Sequence, residues 1–202
     1  MRRRITRYVA ASVVALAGSC RPMHGVADGA AHQTSVGPAT PLVLAVDEGE
    51  RRVRRAQQVG LSSPFILTVD GRNGGSPDLV MGYEDIAPGQ AIAAHRHEVA
   101  DEIIFVHRGS GVVELGARSV AFSSGATIYI PKHVRIAVRN TGTEPLAIAF
   151  VFSRPGFEAY LRDTSVPEGQ PVAPLSAEER RAIRAAPLAH RIRAAVTAPL
   201  DA

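Results

Sequence analysis

His95 and His97 stand one residue apart, and Glu102 follows five residues after the second, within the stretch GQAIAAHRHEVADEIIFVHRG that opens at Gly89 and closes at Gly109. Alternate side chains of an extended strand share a face, so two histidines at this spacing project to one side. Glu102 begins a new apolar run after the turn residues EVAD, where its carboxylate can converge with both imidazoles. Two imidazoles and a carboxylate suit a divalent ion such as iron, manganese, nickel, copper or zinc, and leave positions open for water, oxygen or a substrate. The alternative is a pair of strands that carries polar residues with no ion between them.

The surrounding sequence says what has to position these groups. The chain has 202 residues, 46% of them hydrophobic, which favours one core, and its 18 glycines and 14 prolines favour turns over long helices. From Leu42 onward short apolar runs recur about every ten residues: LVLAV (42–46), FILTV (65–69), LVMGYE (79–84), AIAAH (91–95), EIIFVH (102–107), GVVEL (111–115), RSVAF (118–122), ATIYI (126–130), RIAVRN (135–140) and LAIAFVF (146–152). Turn residues separate them, and NTGTEP at 140–145 reads as a hairpin between two strands. The pattern predicts an all-β domain over 42–155. The tail, 156–202, reads as short helices packed on the outside or the end of that domain. In it, Ser176 and Glu179 form a capping box for a helix over 176–186 that docks through Ile183.

Strand parity ranks the remaining candidates. With Glu102 inward, Ile104 and Val106 share its face, while His107 faces away and Asp101 points opposite to its neighbour. Met81, Tyr83 and Tyr129 are candidates to line a cavity, although such side chains in strands are more often plain core.

The five positions Gly89, His95, His97, Glu102 and Gly109 resemble the first motif of the cupin superfamily without a gap, and GATIYIPKHVRIAVRN resembles the second through Gly125, Pro131 and Asn140. The resemblance covers roughly residues 65–155. It implies a jelly-roll barrel, the double-stranded β-helix, with a metal inside it held by His95, His97 and Glu102. The cupin pattern also implies a glycine at 133 and a fourth ligand, a histidine, at 136, where this chain has His133 and Ile136. Ile136 belongs to an alternating run and should point into the barrel, making the far side of the metal apolar. His133 is the candidate substitute for the missing ligand, and the alternative is a turn histidine facing solvent.

Charge and the amino terminus bound the partners. A net charge of +4 comes from arginines spread over MRRRITR, RRVRR at 51–55 and the last 23 residues, which form no single stripe, so nucleic acid is not an expected partner and the charges read as solvated. Residues 1–20 have the layout of an export signal: arginines, then an apolar stretch, then small residues ending at Cys20. A lipid on Cys20 would anchor the protein to a membrane, as in a bacterial lipoprotein, and ordinary secretion is the alternative, so the expected location is periplasmic or membrane-anchored. Residues 21–41 read as a flexible tether, whose His24 and His32 are incidental to metal binding. Three functional readings follow: a metal-dependent oxygenase or isomerase acting on a small organic substrate, a non-catalytic module that binds a small molecule, and an exported structural cupin acting through homodimer or other oligomer contacts.

Overall fold

The computed structural model describes residues 39–55 and 64–186, together with the backbone of 192–194. Residues 1–20, whose layout reads as that of an export signal, and with them Cys20, as well as His24 and His32, lie outside the described residues. In chain order the elements are β1 (Glu50–Arg54), β2 (Pro64–Val69), β3 (Val80–Ile86), β4 (Ala91–His97), β5 (Glu102–Arg108), β6 (Ser110–Leu115), β7 (Arg118–Ser123), β8 (Thr127–Ile130), β9 (Ile136–Asn140), β10 (Leu146–Phe152), α1 (Phe157–Asp163), β11 (Ser165–Pro167), α2 (Ala177–Ala185) and β12 (Ile192–Ala194).

The strands form two antiparallel sheets. One runs β11-β1-β2-β3-β10-β5-β8 and the other β12-β4-β9-β6-β7. Strands adjacent in sequence repeatedly switch sheet, which is the jelly-roll arrangement that the cupin resemblance implied for the predicted all-β domain. NTGTEP is accordingly no hairpin: β9 and β10 belong to different sheets, and the segment crosses between them. Asn140, fully buried, secures this crossover by donating from Nδ2 to the carbonyls of Ile86 and Glu144 while its Oδ1 accepts from the Gly142 amide.

Period-two burial builds the core. In β5 Glu102, Ile104 and Val106 are buried and Ile103, Phe105 and His107 are exposed, as the parity argument required. Ile104, Val106, Val113, Ile128, Ile136, Val138 and Ile148 come from both sheets into one cluster. A second cluster holds Phe65, Leu67, Val80, Phe150, Phe152, Phe157, Tyr160 and Leu161. Gly82 makes room for it: a Cβ at that position would come within 2.4 Å of both the Phe150 ring and the Ile66 carbonyl oxygen.

Three expectations are revised. LVLAV is exposed and is not a strand: Val43 is 96% exposed and Val46 74%, while Leu42 and Leu44 are only partly covered. The charged run beside it forms β1 instead, and its arginines are not merely solvated: Arg54 is buried against Glu84, and Arg55 reaches Glu179 at 2.6 Å. The tail does more than pack outside, since α1 sends Phe157, Tyr160 and Leu161 into the second cluster and β11 extends the first sheet beyond β1. The predicted α2 carries its capping box and packs Ile183 against that cluster. Among the described residues no helix is long and apolar enough to cross a membrane.

Candidate metal centre

β4 and β5 are joined by residues 98–101 but lie in facing sheets, so the histidines and the glutamate meet across the barrel and not side by side on neighbouring strands. His95, His97 and Glu102 are all buried, and one ligand atom from each lies within 4.8 Å of the others. The His97 Nε2 and Glu102 Oε2 atoms are 3.2 Å apart, yet they do not meet in hydrogen-bond geometry and neither has another hydrogen-bond partner among the described residues. Two buried polar atoms left unsatisfied at such close range are costly, and a cation bound by both removes the cost. The donor set therefore fits a divalent ion both in chemistry and in what it leaves unmet.

Each ring is fixed from behind. The Ala93 carbonyl lies 2.7 Å from His95 Nδ1, which places the proton on Nδ1 and presents Nε2 as a lone pair. Burial, and then the neighbouring His97, push the His95 pKa down to about 4, so this imidazole is neutral and competent as a ligand at ordinary pH. His97 is boxed by Phe152 and Phe157, with ring centroids at 4.9 and 4.7 Å, and meets His95 edge to face at 5.0 Å. Phe157 belongs to α1, so the carboxy-terminal tail helps to set the orientation of a candidate ligand.

His133 lies apart from the three. Its side chain is 58% exposed and its Nδ1 faces Glu98 Oε2 at 3.6 Å. Its backbone has φ 69°, the left-handed conformation that a glycine adopts without cost, and its amide donates to the His97 carbonyl at 2.8 Å. The turn geometry of the second motif thus persists with a histidine in the glycine position, and the side chain is carried outward. Ile136 is fully buried and lines the cavity beside the cluster, as its alternation predicted.

The cavity has a volume of about 240 Å³ and includes His95, Glu102, Ile104, Ile136 and Phe150 in its wall. Met81 and Tyr83 are not part of it, because the inward positions of β3 are Val80, Gly82, Glu84 and Ile86, and Tyr129 is 58% exposed. Sequence reasoning missed Arg54 and Glu84, which also line this cavity. No local signal marked Arg54: the one valine of ERRVR, Val53, is only partly buried and lies on the opposite face of the strand.

Beside this two-sheet jelly roll and its His-His-Glu cluster stands a match of residues 82–152 to the family described as Cupin domain. Over 124 residues the chain is 26% identical to the tetracenomycin polyketide synthase protein TcmJ of Streptomyces glaucescens, covering 55% of this chain and 81% of that protein. It is 30% identical over 94 residues to the dimethylsulfoniopropionate lyase DddW of Ruegeria pomeroyi, covering 45% of this chain and 59% of the lyase. A structure from Thermotoga maritima, described as a predicted oxalate decarboxylase, superposes with a TM-score of 0.50 at 18% identity, covering 56% of this chain and all of that one, a likeness of fold.

Proposed function

We propose that this protein takes a small organic molecule into its barrel beside a divalent ion held by His95, His97 and Glu102, and acts on it as a metal-dependent oxygenase or isomerase. The observation that carries the reading is the facing pair of buried, unsatisfied atoms, His97 Nε2 and Glu102 Oε2. A bound ion would supply Lewis acidity towards a substrate oxygen or a site for oxygen itself. The chain's own groups do the rest. The Ala93 carbonyl fixes the His95 tautomer, Phe152 and Phe157 hold the His97 ring, and Ile136 keeps water from the side where the cupin pattern has a fourth ligand. The similarity to a named lyase and to a polyketide synthase protein supports an enzyme of small-molecule chemistry without fixing the substrate.

Elemental analysis of protein purified without added metal, followed by oxygen uptake and product analysis with candidate substrates, tests this. Bound ion with turnover supports the proposal, and absence of any ion in protein offered each candidate metal ends it. A second reading, a non-catalytic binding module, draws on the cavity itself: beyond the metal cluster its ionisable side chains are Tyr160 and the Arg54–Glu84 pair, in which the glutamate is held by the arginine. Retention of a ligand without turnover identifies that case. Export belongs to the proposal as well, supported by the arginine-rich start and the apolar stretch before Cys20. Mass spectrometry of native protein should find a new amino terminus at a lipid-bearing Cys20 or shortly beyond it, and an intact Met1 contradicts export.

A further inference from the structure

Burying an arginine in an apolar barrel is expensive, and a carboxylate partner repays that cost only with good geometry and saturated donors. Arg54 is 8% exposed and Glu84 is 3% exposed, and both line the cavity that His95 and Glu102 enter. Their pairing is slack. Nη2 to Oε2 is 3.1 Å and Nε to Oε1 is 3.4 Å, whereas charge-assisted bonds of this kind usually run at about 2.7 to 2.9 Å. Less buried arginines of the same molecule reach that range or below, Arg52 to Glu50 at 2.7 Å and Arg55 to Glu179 at 2.6 Å. The Arg54 guanidinium lies over the Phe65 ring, 4.9 Å from its centroid, and its Nη1 has no hydrogen-bond partner among the described residues. A buried arginine thus reaches the cavity with donors to spare.

We infer that the cavity takes an organic anion and that Arg54 binds its carboxylate, sharing its guanidinium between Glu84 and the ligand. This rests on the small-molecule reading of the same cavity and names the ligand class. A guanidinium serving two carboxylates at once is already present here, where Arg162 donates to both Glu50 and Asp70. The fork of donors suits a planar carboxylate better than an ammonium would. The rest of the wall, with Ile148, Phe150, Phe152, Phe157 and Leu161, suits a hydrocarbon body behind the charge. Arg54 is a specificity-determining residue in this scheme, with the metal cluster in the same cavity wall.

Calorimetric titration of the purified full chain with benzoate and hexanoate, each against its neutral amide, tests this, with the metal content of every sample measured alongside. The wild type should bind each acid at least about tenfold more tightly than its amide, the scale of one hydrogen bond to a charged group. Arg54→Lys should lose most of that preference. Arg54→Met combined with Glu84→Met removes both charges together and leaves neither orphaned, so it should fold, as circular dichroism would check, and bind acid and amide alike. If the double variant fails to fold, the lysine variant decides. Equal affinity for acid and amide in the wild type, no binding of either, or a preference that survives the substitutions overturns the inference. An acid preference that depends on Arg54 in samples devoid of metal would sustain it while the metal reading fell, and bound metal without such a preference would do the reverse.

Discussion

Two buried pairs of ionisable side chains line this barrel, Arg54 with Glu84 and His97 with Glu102, and they are built differently. The first is joined by two hydrogen bonds through the arginine fork, while the second brings two polar atoms to 3.2 Å with no hydrogen bond between them. A pair of the first kind is held by its own partner. A pair of the second kind leaves polar atoms that a third body could satisfy, and with His95 beside it the three side chains form a group that could hold a metal ion. The difference teaches that burial of charge alone does not mark a metal site; the mark is what burial leaves unsatisfied.

The comparison can be broken from either side. Glu84→Ala should strip Arg54 of its buried partner and cost about 3 to 5 kcal/mol in chemical denaturation. A loss below about 1 kcal/mol would mean that water already reaches the guanidinium. On the metal side, acid should weaken the metal-free protein. The unfolded chain protonates His95 near its ordinary value of 6.5, whereas the folded chain holds out until about 4. His97 and Arg54 oppose the charged ring and Glu102 favours it, but burial dominates. The stabilisation is therefore full above 6.5, falls as pH drops through the window down to 4, and flattens below it. Its size is on the order of 3 kcal/mol, read from melts of the metal-free protein against those of His95→Gln.

A divalent ion at one hundred times its dissociation constant should then raise stability by about 2.7 kcal/mol, and the rise should be absent from His97→Ala. The smallest effect expected lies far from either pair. Ser176→Ala removes the cap of α2, in which Ser176 Oγ accepts from the Glu179 amide at 3.1 Å, and should cost about 1 kcal/mol by the same denaturation.

The site was more legible in the sequence than its surroundings were. His95, His97 and Glu102 follow from period-two geometry and a short turn, which are local properties, and so does the inward face of Ile136. What local pattern could not reveal was which strands would face one another. Consecutive in the chain and joined by a short turn, β4 and β5 lie in two sheets, and NTGTEP crosses between sheets although its composition is that of a hairpin. Charge misled in the same way. RRVRR reads as a solvated run because arginine is rarely buried, and only the arrival of Glu84 from β3, thirty residues away in the chain, makes an internal place for Arg54. LVLAV shows the converse, an apolar run that forms no strand and leaves Val43 and Val46 exposed.

The central claim is that His97 and Glu102 are held apart by an ion that His95 also binds. Titration of the metal-stripped protein with iron, manganese, nickel, copper and zinc, followed by measurement of bound metal per chain, tests it most directly. The account predicts about one equivalent of a divalent ion in the wild type and in His133→Ala, whose side chain faces solvent, and none in His97→Ala. Wild-type protein that takes up none of the five, or a His97→Ala variant that retains its full equivalent, would contradict it.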